Sequence, residues 1–250
     1  MRATVLALAL LAATAGTAAA QSVSIDLGAA GGPGNTSRLV QLTALIGLLA
    51  LAPSLLVMAT AFARIVMVLS LLRSAIGAQG IPPNPVLVGL ALFLSFFVMQ
   101  PTLERSWAEG LEPMVAGKVG EMEGLKAAAE PFRAFMAAQA READVSLFRD
   151  LAREPSTGPA EAAGPVPWRV LFPAFLVGEL KRAFEIGFLV FLPFLVIDMV
   201  VASLLMSLGM MMLPPNAVSL PLKLVFFVLV DGWRLVSSGL VQGFVEAAGG

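Results

Sequence analysis

Long apolar runs separated by polar stretches organise the chain. From Leu39 to Leu103 the only charged residues are Arg64 and Arg73. As a single helix at 1.5 Å per residue, positions 39–76 would measure roughly 57 Å. A bilayer's hydrocarbon core is only about 30 Å thick. A break, a strong tilt or projection beyond the membrane is therefore expected, with Pro53 as the predicted kink. Gly77, Gly80, Pro82, Pro83, Asn84 and Pro85 then cluster, a composition that ends a helix and turns the chain. A second apolar segment runs from Val86 to Leu103, so residues 39–103 read as one helical hairpin.

The pattern changes at Glu104. Residues 104–167 are charged and Ala-rich, with short amphipathic stretches, and read as a small helical insert outside the membrane. Its best helix is predicted over Pro131–Asp150, where Phe132, Phe135, Met136 and Gln139 recur at helical spacing. The Pro- and Gly-rich stretch 155–167 is a predicted loop. Trp168 to Gly209 is apolar again, broken by Glu179-Leu180-Lys181-Arg182 and Glu185. A turn at Leu213-Pro214-Pro215-Asn216 leads into a last apolar run, Leu220 to Val245, which carries Asp231 and Arg234. Residues 168–250 thus form a second predicted hairpin. Pro82-Pro83-Asn84 and Pro214-Pro215-Asn216 occupy matching places in the two halves, as in an internal repeat, although Pro-Pro turns are also common at membrane-helix ends. The expected fold is an all-α membrane protein: two kinked helical hairpins with a helical insert between them.

Composition supports this placement. The 250 residues are 58% hydrophobic and 13% charged, whereas an ordinary soluble domain is about 25% charged. The net charge of −1 offers no basic face for nucleic acid. Cys, His and Tyr are absent, which excludes disulfides, most zinc sites and Ser–His or Cys–His catalysis. No Gly-rich phosphate loop or metal cluster appears. The chain is expected to be no enzyme, to hold no cofactor, and to draw its energy from partners.

Residues 1–20 read as a secretory signal: Arg2, a short apolar run from Val5 to Ala13, then small residues before cleavage between Ala20 and Gln21. An uncleaved first anchor is the alternative. Residues 21–38 read as a flexible linker. Arg73 beside the first turn and Lys223 near the second place both turns in the cytoplasm. The new N-terminus and the insert are then periplasmic, and the membrane is the bacterial inner membrane.

Charged residues in apolar helices are costly and usually functional. Helical spacing pairs Glu179 with Arg182, Lys181 with Glu185 and Asp231 with Arg234. Local pairing, pairing between subunits and a proton relay all remain open for these groups. Asp198 stands alone in its run and needs a partner or a wet cavity, with Arg64 as a candidate. Met210-Met211-Met212 precedes the second Pro-Pro turn. Three neighbours cannot all face one core, because they differ by about 100° around a helix. A loop projecting deformable thioethers into a space competes with a generic apolar helix end.

Leu71-Leu72-Arg73-Ser74-Ala75-Ile76-Gly77, Pro82-Pro83-Asn84 and Leu90 to Met99 resemble the first hairpin of the flagellar biosynthetic FliP family. Phe184 to Val200, Met210 to Pro215 and Val230-Asp231-Gly232-Trp233 are similar to its second half. The resemblance covers 39–103 and 168–245. It implies the export gate of the type III secretion apparatus in the inner membrane, at the flagellar basal body. Several copies, five by the resemblance, assemble there with FliQ and FliR into a helical ring, next to FlhB and FlhA. Unfolded flagellar subunits pass through the centre. In that family the methionine loop is a gasket, a role the resemblance carries to Met210, Met211 and Met212. Read from their spacing and apolar setting, Glu179, Lys181, Arg182, Glu185, Asp198, Asp231 and Arg234 are the candidate charge-pair or subunit-contact residues. A stand-alone multi-pass secondary transporter and an intramembrane aspartyl enzyme are the rival readings.

Overall fold

A computed structural model describes residues 57–78, 80–152, 165–210 and 212–249, with a few isolated positions between 43 and 54. Residues 1–51 and 52–250 separate into two units, and the helices described below belong to the second. The predicted cleavage site Ala20–Gln21, the linker 21–38 and the Pro53 kink lie outside the described residues, as does most of the predicted loop 155–167. Every regular element among the described residues is helical.

Helix α1 (Phe62–Ile76) buries Ile65, Val68, Leu69, Leu72, Ala75 and Ile76. These positions follow the three- and four-residue steps of one helix face. Just before it the chain breaks over 59–61. There the Thr60 hydroxyl donates to Val57 O at 3.0 Å. Gly77 ends α1 in the left-handed conformation, with φ 78° and its N–H donating to Arg73 O and Ser74 O. A residue without Cβ adopts this geometry at least cost.

Helix α2 (Asn84–Ser106), a π-helical turn (Trp107–Leu111) and helix α3 (Glu112–Val115) form one continuous helix. The compositional break at Glu104 therefore does not end the helix. The π turn coincides with a crossing by α4 (Glu121–Gln139): a Cβ on Gly110 would stand 2.3 Å from Ala128 N. Ser106 Oγ donates to Ala128 O at 2.7 Å beside it. The single helix predicted over Pro131–Asp150 is instead two. Helix α4 stops at Gln139, Ala140 is extended with ψ 137°, and α5 (Glu142–Leu151) follows. Arg141 Nε donates to Asp144 Oδ2 at 2.7 Å and Nη2 to Oδ1 at 3.0 Å, so a side-chain fork holds the new N-terminus.

Helix α6 (Trp168–Ser207) has 40 residues and is apolar on all sides, with Pro173 and Pro193 inside it. Helices α7 (Pro215–Leu229) and α8 (Gly232–Gly249) are bent by 62° at their junction. Asp231 there has φ 50°, a conformation that Asp tolerates better than most residues. A Cβ on Gly232 would stand 2.1 Å from the Phe227 ring, so the corner needs glycine.

The core is built around α1, which packs on α2, α6 and α7. Val236, Leu240 and Phe244 of α8 close it from another side. Each fully buried aliphatic side chain contributes about 1.5–3 kcal/mol. Asn84–Val115 and Trp168–Ser207 are long and apolar enough to cross a membrane, and the bent α7–α8 pair makes a third candidate span. Their apolar stretches are only 22% and 17% buried within the chain for the first two. Phe93, Phe96 and Phe97 of α2 and Phe184, Phe188 and Leu189 of α6 stand exposed.

Candidate functional site

Two polar centres lie inside this apolar frame, and both join elements far apart in sequence. The first is centred on Arg64, 2% exposed, and Glu179, fully buried. Arg64 Nε donates to Glu179 Oε2 at 2.8 Å, and Nη2 makes a second, short contact to Oε1. Such a bidentate fork is the strong form of an ion pair. Arg64 Nη2 also donates to Gln139 Oε1 at 3.0 Å, which takes a further hydrogen bond from Arg182 Nη1 at 2.9 Å. Gln139 Nε2 donates to Phe244 O at 3.2 Å, and the Arg64 guanidinium lies 3.7 Å from the centroid of the Phe244 ring. Helices α1, α4, α6 and α8 thus meet at one set of mutually satisfied polar groups.

This arrangement corrects two expectations. Glu179 pairs with Arg64 of α1 rather than with Arg182 on its own helix. Arg64 is therefore committed, and Asp198 has another partner. Burial explains the choice: facing inward, Glu179 needs a cation from another element, while Arg182 reaches the Gln139 carbonyl instead. Lys181 and Glu185 do pair, at 3.8 Å and with both side chains largely exposed. Exposed pairs of this kind are worth little. Asp231 and Arg234 are both exposed, and no ion pair or side-chain hydrogen bond joins them among the described residues. The left-handed turn at Asp231 interrupts the helical register that the pairing assumed.

The second centre joins α6, α7 and the end of α1. Lys223 Nζ donates to Asp198 Oδ2 at 2.5 Å and to Ala75 O at 3.1 Å. Ser219 Oγ donates to Asp198 Oδ1 at 2.6 Å. Lys223 also lies where a cation is favoured, at the carbonyl-rich end of α1. It is buried inside α7, so it is not a loop charge and drops out of the orientation argument. Arg73 latches the other turn, with Nη1 donating to Asn84 Oδ1 at 2.5 Å and to Pro82 O at 3.3 Å. A cavity of about 610 Å³ lies between the two turns, lined by Arg73, Asn84, Asp198, Asn216, Ser219 and Lys223 among others. The two Pro-Pro-Asn segments, each of which starts a helix, therefore face one space.

The methionine loop emerges beside this centre. It spans the gap between Ser207, the last residue of α6, and Pro215, the first of α7. Gly209 turns it at φ 74°, and Met210 N donates to Leu205 O at 2.9 Å. Met210 is 44% exposed and Met212 is 99% exposed; Met211 lies outside the described residues. These two methionines belong to a projecting loop, not to a packed helix end. Sequence reasoning missed Gln139 and Ser219 as polar partners and misplaced Lys223. The four-residue step from Ser219 to Lys223, which puts both on one face of an apolar helix, was the available signal.

The family comparison decides what this frame is. The model of the FliP family matches residues 45–240. The chain belongs to the FliP family. Three of its relatives, each called flagellar biosynthetic protein FliP, show how much is shared. It is 54% identical to one from Caulobacter vibrioides over 232 residues, which is 93% of this chain and 85% of the relative. A Pectobacterium carotovorum protein is 52% identical over 205 residues, 82% of this chain and 78% of its own. A Bacillus subtilis protein is 46% identical over 220 residues, 88% of this chain and 98% of its own. Within the FliP-family span lie both polar centres except Phe244, and the whole methionine loop.

Proposed function

We propose that this chain is a core subunit of the flagellar type III protein export gate in the bacterial inner membrane. It assembles there with further copies of itself, five in all, and with FliQ and FliR, beside FlhB and FlhA. The kinked hairpins form a helical ring through which unfolded flagellar subunits pass, and the N-terminus and insert face the periplasm. The observation that carries the reading is the family match across both apolar halves. The geometry supports it in two ways. Long apolar faces on α2 and α6 stand exposed among the described residues and suit sister subunits. Met210 and Met212 project from a short loop between two such helices.

The mechanism follows from the side chains. A closed gate must stop water and ions, yet admit a polypeptide of varying shape. Unbranched thioethers give apolar contact without a fixed shape, and a ring of them closes a pore by excluding water. Changing Met210, Met211 and Met212 together to Ala shortens the collar while keeping it apolar. The expected result is an assembled complex that leaks small ions when reconstituted into liposomes. Unchanged ion conductance in that complex removes the gasket. A chain that purifies and transports alone is a secondary transporter, and the gate reading then fails.

A further inference from the structure

We infer that Asp198, Ser219 and Lys223 are positioning residues that clamp the base of the methionine loop. The inference rests on the gate reading above and deepens it. The loop has two limbs, one leaving α6 at Ser207 and the other entering α7 at Pro215. The clamp sits on both. Asp198 lies nine positions before Ser207, about 13.5 Å along a helix, and Ser219 lies four positions after Pro215, about 6 Å. Both Asp198 oxygens are used, one by the Ser219 hydroxyl and one by the Lys223 ammonium. The ammonium then reaches across to Ala75 O, one residue before α1 ends. A single carboxylate–ammonium centre therefore joins the two limbs and ties both to α1, the helix at the centre of the core.

Among its described residues the loop is otherwise held by short-range backbone hydrogen bonds. These are Leu208 N to Leu204 O, Gly209 N to Met206 O and Met210 N to Leu205 O at the α6 end, Leu213 N to Met210 O at 3.3 Å, and Ala217 N to Pro214 O at the α7 end. Gly209 has no heavy atom within 4 Å of where a Cβ would lie. The methionines are soft by chemistry, so their position must come from the helices that carry them. Charge-assisted hydrogen bonds in this partly buried site are strong and directional, which suits that task. Phe194 of α6 also packs on Phe226 and Phe227 of α7, and the clamp adds a directional contact to that packing.

The test uses the complex as it assembles with its partner subunits, reconstituted into liposomes. Native mass reads assembly and ion leak reads closure. Asp198→Asn and Lys223→Met are expected to assemble at unchanged mass and to leak about tenfold faster, the loss that one charge-assisted hydrogen bond predicts. Ser219→Ala is expected to leak by a smaller factor. The exchange Asp198→Lys with Lys223→Asp should leak less than either single variant. Rescue stays partial, because an aspartate at 223 cannot donate to Ala75 O. The Met210–Met212 alanine complex is the reference. If it stays tight, the gasket falls and the clamp with it. If it leaks while assembled Asp198→Asn and Lys223→Met complexes stay tight, only the clamp fails. Should both charge variants not assemble, Ser219→Ala decides, since it removes one neutral donor and no charge: a leak supports the clamp and a tight complex overturns it.

Discussion

At the residue scale, Arg64 and Glu179 show how position outweighs residue type. A buried ion pair adds little net stability over apolar packing, but removing one partner strands the other charge. Glu179→Ala leaves Arg64 with the Gln139 carbonyl and the Phe244 ring, neither of which carries a full negative charge. The expected loss is about 3–5 kcal/mol, read as a lower unfolding temperature of the detergent-purified complex. Replacing both partners, Arg64→Met with Glu179→Leu, should cost less than the single change. Gln139 then still receives the hydrogen bond from Arg182. If the double variant is the less stable of the two, the pair acts as more than mutual compensation. The sequence marked Glu179, Arg182 and Arg64 as charges needing partners, yet it mispaired them because neighbours along a helix were the only neighbours it displayed.

At the scale of elements, the insert is fastened to the membrane-type helices at the Gln139 centre and at two further points. One is the crossing at Gly110, where the nearest atoms to an added Cβ are Ala128 backbone and Cβ at 2.3–2.5 Å. Backbone cannot swing aside, so Gly110→Ala should push α4 off the π turn and destabilise by about 1–3 kcal/mol. Faster amide exchange confined to α3 and α4 would report this. The other point is the start of α5, where Asp144 packs against Gly178 of α6, its Oδ2 3.4 Å from where a glycine Cβ would lie. The Arg141 fork is the leading cause that holds the Asp144 carboxyl below its ordinary value of 3.8. A depressed carboxylate stabilises fully above that ordinary value, and the contribution disappears as pH falls through the lowered folded value. Amide protection in α5 should therefore be constant from neutral pH down to about 4 and fall below it. Asp144→Asn should remove that acid transition. The sequence revealed an amphipathic helix in this region but not its break at Ala140, because no Gly or Pro marks the site.

At the scale of the whole molecule, large apolar side chains stand exposed among the described residues. Phe93, Phe96, Phe97, Phe184 and Phe188 are all at least 59% exposed, far more large aromatic area than a soluble surface carries singly. Lipid or sister subunits must cover it. Under the gate reading, native mass in mild detergent should give a large hetero-oligomer. Selective dissociation should yield single chains that aggregate rather than stable monomers. A well-behaved monomer would leave lipid as the only cover for those faces.

The sequence by itself determined what depends on local pattern. Run length and apolarity dictated helices and candidate membrane spans, and Gly77 and the two Pro-Pro-Asn segments dictated turns, whereas the methionines before Pro214 were left between a loop and an apolar helix end. Those features follow from the conformational limits of a few adjacent residues. Tertiary structure alone decided the partners: Arg64 with Glu179, 115 positions apart, and Asp198 with Lys223 and Ser219 rather than Arg64. The reason is physical. A buried charge is compensated by whichever element packs within hydrogen-bond reach, and nearly uniform apolar helices carry no periodic signal to say which faces meet.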